Sequence, residues 1–472
     1  MATQNNISFS VDRKDVVLVK PLEPTPSEVL SFSTIDNDRN LELICHSVFV
    51  YKANDDYCNG DSPDEAKPKP GVRKDPACII EEALSKLLVY YYPLAGKLKR
   101  QADGKLRITC NADGVPFLVA TANCQLSSLN YLDGVDVQTA KQFAFDFPSE
   151  SDDGYHPLVL QVTKFSCGGF TIAMSLSHSV CDGFGASQIF RALAELASGK
   201  SEPSVKPVWE RKKLVAEPIK EIAQFTVDKD SLATSPYLPT TDIVHECFYI
   251  TSENIKILKT NLMKESGDEF LKGSVTSLEV LGAYIWRARF RALKLNSDGK
   301  TVFNLAAGIR RILNPPLPEG FYGNAFTSAN TAMTGRDLNE GSLTKAVKQI
   351  KESKKLASSN DYIWKLLSIC EKFFELNMKF DPVPGATMTL TDWRQLGLME
   401  DVDFGWKGSV NVIPLPWNMF GYVDLVLLLP PCKLDQSMKG GVRVLVSLPR
   451  AAIAKFREEM DALKHGDEAA GA

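Results

Sequence analysis

One stretch limits the fold of this chain more than any other. It runs from Leu158 to Phe165, through Cys167-Gly168-Gly169, and on from Phe170 to Gly185. Two apolar runs around a Gly-Gly turn read as an antiparallel hairpin, expected over Leu158–Phe165 and Phe170–Leu176. Along the second run Phe170, Ile172, Met174, Leu176 and His178 share one face, and Thr171, Ala173, Ser175 and Ser177 share the other. The apolar row therefore ends on a histidine. A Gly-rich turn, Asp182-Gly183-Phe184-Gly185, then leads into a helix expected from about Ala186 to Ala197.

The remainder alternates between strand-like and helix-like periods without repeats, which points to an α/β fold with mixed sheets. Asp75 and Pro76 mark a helix start, followed by apolar residues at helical spacing up to Pro93. Strands are expected over Lys105–Cys110, Pro116–Ala120, Thr387–Thr391, Val423–Leu429 and Val442–Leu448. Helices are expected near Thr276–Leu293, Ser342–Ser358 and Ala451–Leu463. Between about Ser198 and Ile219 the pattern breaks into a Pro-, Lys- and Glu-rich run that reads as a surface crossover. The division expected is thus residues 1–197, a linker at 198–219, and residues 220–472. Asn54–Lys74, dense in Asp, Lys, Pro and Gly, reads as a mobile surface loop.

Composition narrows the function classes. With 54 basic against 58 acidic side chains the net charge is −4, without the basic excess of a nucleic-acid binder. The 10 cysteines include no CxxC pair and no histidine at zinc-finger spacing, so they read as reduced thiols and no metal site is expected. The first residues carry early charges and no apolar signal core, and no apolar run approaches the roughly 18 residues of a membrane span. A soluble, cytoplasmic protein without membrane contact is expected. There is no GxGxxG fingerprint, GxSxG elbow or Walker A sequence.

His178 is left as the residue to which chemistry points. A strand can hold it rigidly while the Gly-rich turn leaves it open to a cleft. Its plain alternative is a core histidine satisfied by a carbonyl. Asp182 has two readings, orienting the imidazole as a triad carboxylate does, or bonding backbone or an arginine to hold the turn in shape. The second is favoured. His46, His156, His245 and His465 sit in unrelated contexts and read as surface or structural residues.

His178-Ser-Val-Cys-Asp182-Gly183 matches an HxxxDG motif, and Asp403-Phe404-Gly405-Trp406 matches the core of DFGWG about 220 residues later. Together with Leu30 to Asp36, Tyr92 to Gly96, Ala283 to Arg287 and Tyr322-Gly323-Asn324, this ordered set resembles the BAHD family of plant acyl-CoA-dependent acyltransferases. The resemblance implies two chloramphenicol-acetyltransferase-like domains joined by a crossover, with an active-site tunnel between them. It implies acyl-CoA as co-substrate, no further cofactor, and a monomer. His178 is implied as general base, with Asp182 and Asp403 in its catalytic motifs, and Arg310 as the structural partner of Asp403. Gly183 and Gly405 are implied as structural glycines. Two positions depart from the family pattern: Lys407 replaces the last glycine of DFGWG, and Gly308 replaces the aspartate of VDxRxR.

Chain-wide, the sequence is most similar to the spermidine hydroxycinnamoyl transferase branch, notably at Leu390-Thr391-Asp392-Trp393-Arg394. That implies transfer of a hydroxycinnamoyl group from CoA to a spermidine amine. Thr391 and Trp393 are implied at the oxyanion, the indole N–H being a pure donor, although packing in a strand explains Trp393 equally well. Thr34 is a further candidate substrate contact. Asp36 and Asp392 are candidates to attract ammonium groups at the mouth, though period two turns Asp392 away from its neighbours, which favours a structural role. The alternatives are an O-acyltransferase acting on a terpenoid or alkaloid hydroxyl, and a non-catalytic binding protein of the same fold.

Overall fold

The computed structural model describes residues 9–53, 75–147, 152–220, 228–266, 275–378, 383–399, 406, 408–415 and 422–465. The expected loop Asn54–Lys74 and the motif residues Asp403, Phe404, Gly405 and Lys407 lie outside them. Among the described residues the strands form three sheets. The first runs, in spatial order, Val11–Arg13, Val115–Ala122, Leu158–Phe165, Phe170–Ser177, Ile44–Tyr51 and Asn411–Leu415, with Val17–Val19 also on Val115–Ala122. The second runs Ile243–Ile250, Val442–Pro449, Leu425–Leu429, Thr387–Asp392, Lys300–Gly308 and Phe326–Thr334. A third, small sheet joins Val29–Ser31, Leu106–Thr109 and Lys97–Arg100.

Both large sheets mix parallel and antiparallel pairs. Val115–Ala122 runs parallel to Leu158–Phe165, and Thr387–Asp392 runs parallel to both of its neighbours. The hairpin forms as expected, with Leu158 opposite Leu176 and Lys164 opposite Phe170. Every residue of Phe170–Ser177 is buried. Its aliphatic row packs with the helices Pro76–Tyr90 and Gly183–Ala197, while Ala173 faces a separate cluster with Val48 and Val50. A strand covered on both sides cannot slip register without placing its whole apolar row in the wrong layer, so the position of His178 at its end is firmly set.

Caps account for the helix starts. Asp75 accepts from Ala77 N at 2.9 Å with Pro76 in the first turn, and Thr276 and Glu279 form a capping box before Ser277–Ala292. The helix after His178 begins at Gly183, three residues ahead of expectation, because Asp182 caps it by accepting from Gly185 N at 3.0 Å. The glycines there are its first turn. A Cβ on Gly185 would stand 2.5 Å from Cys181 Cβ, and one on Gly183 would meet a Leu396 methyl at 2.5 Å.

Two features differ from the sequence reading. The crossover does not lie on the surface along its whole length: Arg211, Leu214 and Ala216 are buried, and Trp209 packs its ring against Tyr91 and Tyr322. Its charge misleads because Arg211 has a buried partner. One strand also crosses the expected division at 198–219: Asn411–Leu415 pairs with Ile44–Tyr51 and completes the first sheet from the far end of the chain. Helices Ser252–Ser266 and Asn360–Glu375 were not anticipated. Among the described residues no helix is long and apolar enough to cross a membrane.

Candidate active site

His178 follows the last residue of its strand, where its backbone N–H donates to Leu43 O at 2.8 Å. The side chain is half-buried and opens on a cavity of about 2920 Å³. Both halves line this cavity, with Cys45, Met174 and Leu176 from one side and Phe326, Thr391 and Trp393 from the other. The Phe326 ring meets the imidazole edge-on at 6.0 Å between centroids.

The imidazole is held by an asparagine. Asn324 Nδ2 donates to Asp36 Oδ1 at 2.8 Å and to His178 O at 2.7 Å, both pure acceptors. Its Oδ1 is therefore the atom facing His178 Nδ1, at 3.1 Å, and Nδ1 must carry the hydrogen. Nε2 is left with its lone pair. An imidazole fixed in this tautomer can accept a proton at Nε2 from a nucleophile in the cavity.

Behind Asn324 the network continues into the interior. Asp36 is fully buried, accepts from Asn324 N at 2.9 Å, and pairs with Arg211 Nη1 at 2.8 Å. Arg211 also donates to Val180 O at 2.6 Å and lies over the Phe32 ring. Asp36 is thus no mouth carboxylate: its charge is spent on an arginine from the crossover, and an ammonium cannot reach it. Asn324 is the functional residue that sequence reasoning missed. Its signal was present in Tyr322-Gly323-Asn324, an amide side chain beside a glycine, but nothing local tells which histidine it meets 146 positions away.

Asp182 does not touch the imidazole; its oxygens are taken elsewhere. Arg310 binds it through two nitrogens at 2.6 and 2.8 Å, Gly185 N donates to Oδ1, and Ala325 N donates to Oδ2 at 2.9 Å. This carboxylate locks the Gly-rich turn to the loop bearing Asn324, and so acts on His178 through position alone. Arg310, expected to pair with Asp403, is engaged by Asp182 and by Gly323 O, while Asp403 lies outside the described residues, as does Gly405.

The remaining candidates divide. Thr391 is half-buried at the cavity wall, near the end of its strand. Trp393 also lines the cavity but opens a short 3₁₀ turn instead of prolonging the strand, packing beside Leu425, Leu427 and Leu429. Asp392 caps that turn and is gripped by Arg394 at 2.8 and 2.6 Å, which neutralises it locally. Thr34 is buried, donates to Glu371 Oε2 at 2.8 Å and accepts from Ala216 N at 3.0 Å. Its hydroxyl ties loop to crossover, which leaves it no free hydrogen for a substrate. His46 and His156 are buried, and His46 Nδ1 lies 2.7 Å from Ser175 Oγ.

The sequence matches the model of the transferase family over residues 9–463. It is 45% identical to an Arabidopsis thaliana spermidine coumaroyl-CoA acyltransferase, covering 98% of both chains. It is 42% identical to an Arabidopsis thaliana spermidine sinapoyl-CoA acyltransferase, covering 98% of this chain and 99% of that one. Among solved structures, vinorine synthase superposes with a TM-score of 0.70 at 21% identity, over 96% of this chain and 98% of its own. F. sporotrichioides TRI101, in complex with coenzyme A and T-2, gives a TM-score of 0.68 at 15% identity, over 93% and 99%. The motifs, the paired sheets around one cavity and these likenesses converge, and the chain belongs to the BAHD transferase family of acyl-CoA-dependent acyltransferases.

Proposed function

We propose that this acyltransferase moves a hydroxycinnamoyl group from its CoA thioester to an amine of spermidine, forming an amide, with His178 as general base. The observation that carries the reading is the identity of 45% and 42%, along 98% of this chain, with two acyltransferases named for spermidine. The acceptor amine arrives as an ammonium of pKa about 10; desolvation in the cavity lowers that value, and the nitrogen first loses one proton to solvent to become the free amine. His178 Nε2 takes a second proton as the amine nitrogen attacks the thioester carbonyl. Thr391 and Trp393 line the cavity, and the hydroxyl of one and the indole N–H of the other are the donors proposed for the tetrahedral oxyanion. Collapse expels the CoA thiolate, which receives the proton from the imidazolium.

The cavity also suppresses a competing reaction. Cys45, Cys181 and Cys370 line it, and burial pushes each thiol up to about 12. They stay protonated at neutral pH and are poor nucleophiles toward a bound thioester. We further propose that the enzyme acts as a monomer in the cytoplasm.

The test is product mass. Coumaroyl-, caffeoyl-, feruloyl- and sinapoyl-CoA are incubated with spermidine or with alcohol acceptors and read by mass spectrometry. Spermidine amides that vanish in His178→Ala, with an unchanged circular dichroism spectrum, support the proposal. Esters alone would move the chain to O-acylation, and near-native turnover in His178→Ala would overturn the base.

A further inference from the structure

The proposed polyamine acceptor raises a question of charge: what meets the ammonium groups that are not acylated? Six carboxylates of the described residues line the cavity, namely Asp38, Asp182, Asp228, Asp361, Asp392 and Asp424. Three are neutralised by arginines, Asp182 by Arg310, Asp392 by Arg394 and Asp424 by Arg289. Asp228 and Asp361 are exposed, where water screens them.

Asp38 is different. It is half-buried, and its side chain accepts from Asn40 N at 2.9 Å and Asn40 Nδ2 at 3.0 Å, both neutral donors. Among the described residues no cation comes within ion-pairing distance of it, the adjacent Arg39 included. A half-buried carboxylate without an ion-pair partner is a site of negative potential that attracts a cation entering the cavity. It also stands two residues from Asp36, so their Cα atoms are at most about 7.6 Å apart. The loop that steadies the imidazole through Asn324 therefore also presents this charge.

A second polar group on the cavity wall is also unsatisfied: Asn304, on the strand Lys300–Gly308, lines the cavity, and its buried Oδ1 has no hydrogen-bond donor among the described residues. The register sets Asn304 beside Asn330 and Thr389, a polar rung across three strands whose neighbours Leu305 and Leu390 face the core. An acceptor with no donor on the cavity wall suits a ligand rich in N–H groups.

We infer that Asp38 is a specificity-determining residue, binding an ammonium group of the acceptor away from the nitrogen being acylated. The inference rests on the spermidine reading given above. It makes the enzyme selective for di- and polyamines over monoamines of equal length.

The experiment uses the full chain with coumaroyl-CoA and compares kcat/KM for spermidine with that for n-hexylamine. Asp38→Asn keeps an acceptor for Asn40 N and loses the charge; Asp38→Ser does the same with a smaller group; Asp38→Glu retains the charge. The spermidine-to-hexylamine ratio falls at least tenfold in Asn and Ser, chiefly through KM for spermidine, and recovers in Glu. In the wild type, added salt raises KM for spermidine more than for hexylamine. A ratio within twofold of wild type in whichever of the two uncharged variants retains its melting temperature overturns the inference while leaving the proposed function standing. A wild type that makes no spermidine amide removes the function, and the inference with it.

Discussion

Replacing Asn324 with alanine separates the orientation of the imidazole from its presence. In the native site Nδ1–H donates to Asn324 Oδ1 at 3.1 Å, a bond that stabilises this tautomer by about 1 kcal/mol. The opposite tautomer would set an Nδ1 lone pair against the amide oxygen, losing that bond and leaving two acceptors facing each other at a cost of about 1–3 kcal/mol. The two together favour the base-competent form by about 2–4 kcal/mol, a factor of about 30 to 1000 in population. In Asn324→Ala the ring is free to hold its proton on either nitrogen and to rotate. We expect kcat/KM to fall about 10- to 100-fold, by analogy with removal of the partner that orients a metal-ligating histidine. The same change deletes the Nδ2 bonds to Asp36 and to His178 O, so stability falls by about 2–4 kcal/mol as well. Initial rates of CoA release, measured where urea titration shows the variant folded, keep the two effects apart. A folded Asn324→Ala enzyme with kcat/KM within twofold of wild type would refute the reasoning.

Two further outcomes follow from the buried charges. Asp182→Asn keeps the cap on Gly185 N but leaves the Arg310 guanidinium, which is 21% exposed, without its anion; we expect a loss of about 3 kcal/mol in urea unfolding. A double-mutant cycle with Arg310→Met should return a coupling above about 1 kcal/mol, and additive effects would contradict the clamp. Burial holds the His46 imidazole down to about 4, despite Asp146 at 3.4 Å and with Lys141 adding to the effect. The unfolded chain titrates this group near 6.5, so below that pH it binds a proton that the native state refuses until near 4. Stability is therefore full above pH 6.5 and declines by about 1.4 kcal/mol per unit below it, about 2 kcal/mol by pH 5. His46→Gln should flatten the fall between pH 7 and 5 in urea midpoints, and an equally steep fall in the variant counts against the assignment.

Local patterns were legible and distant partners were not. The hairpin around Gly168-Gly169 appears at its expected residues, because turn chemistry and period-two burial act within a few positions. The helix after His178 began early since its glycines looked like a break, whereas the Asp182 cap turns them into a first turn. The same distinction governs the site. His178 could be found from the end of its own strand. Asp36 was misread as a mouth residue because its partner Arg211 stands 175 positions away, in a segment whose charge suggested solvent. The engagement of Arg310 by Asp182 was missed for the same reason: a carboxylate 128 residues distant competes on equal terms in sequence with any other.

The strand Asn411–Leu415, which closes the first sheet against Ile44–Tyr51, also sets an order of assembly. During synthesis the amides and carbonyls along that edge wait unpaired while more than three hundred further residues are added. An unpaired edge invites association with other chains, so a message truncated after the crossover would yield an aggregating fragment, and the imidazole would reach its working position late in translation.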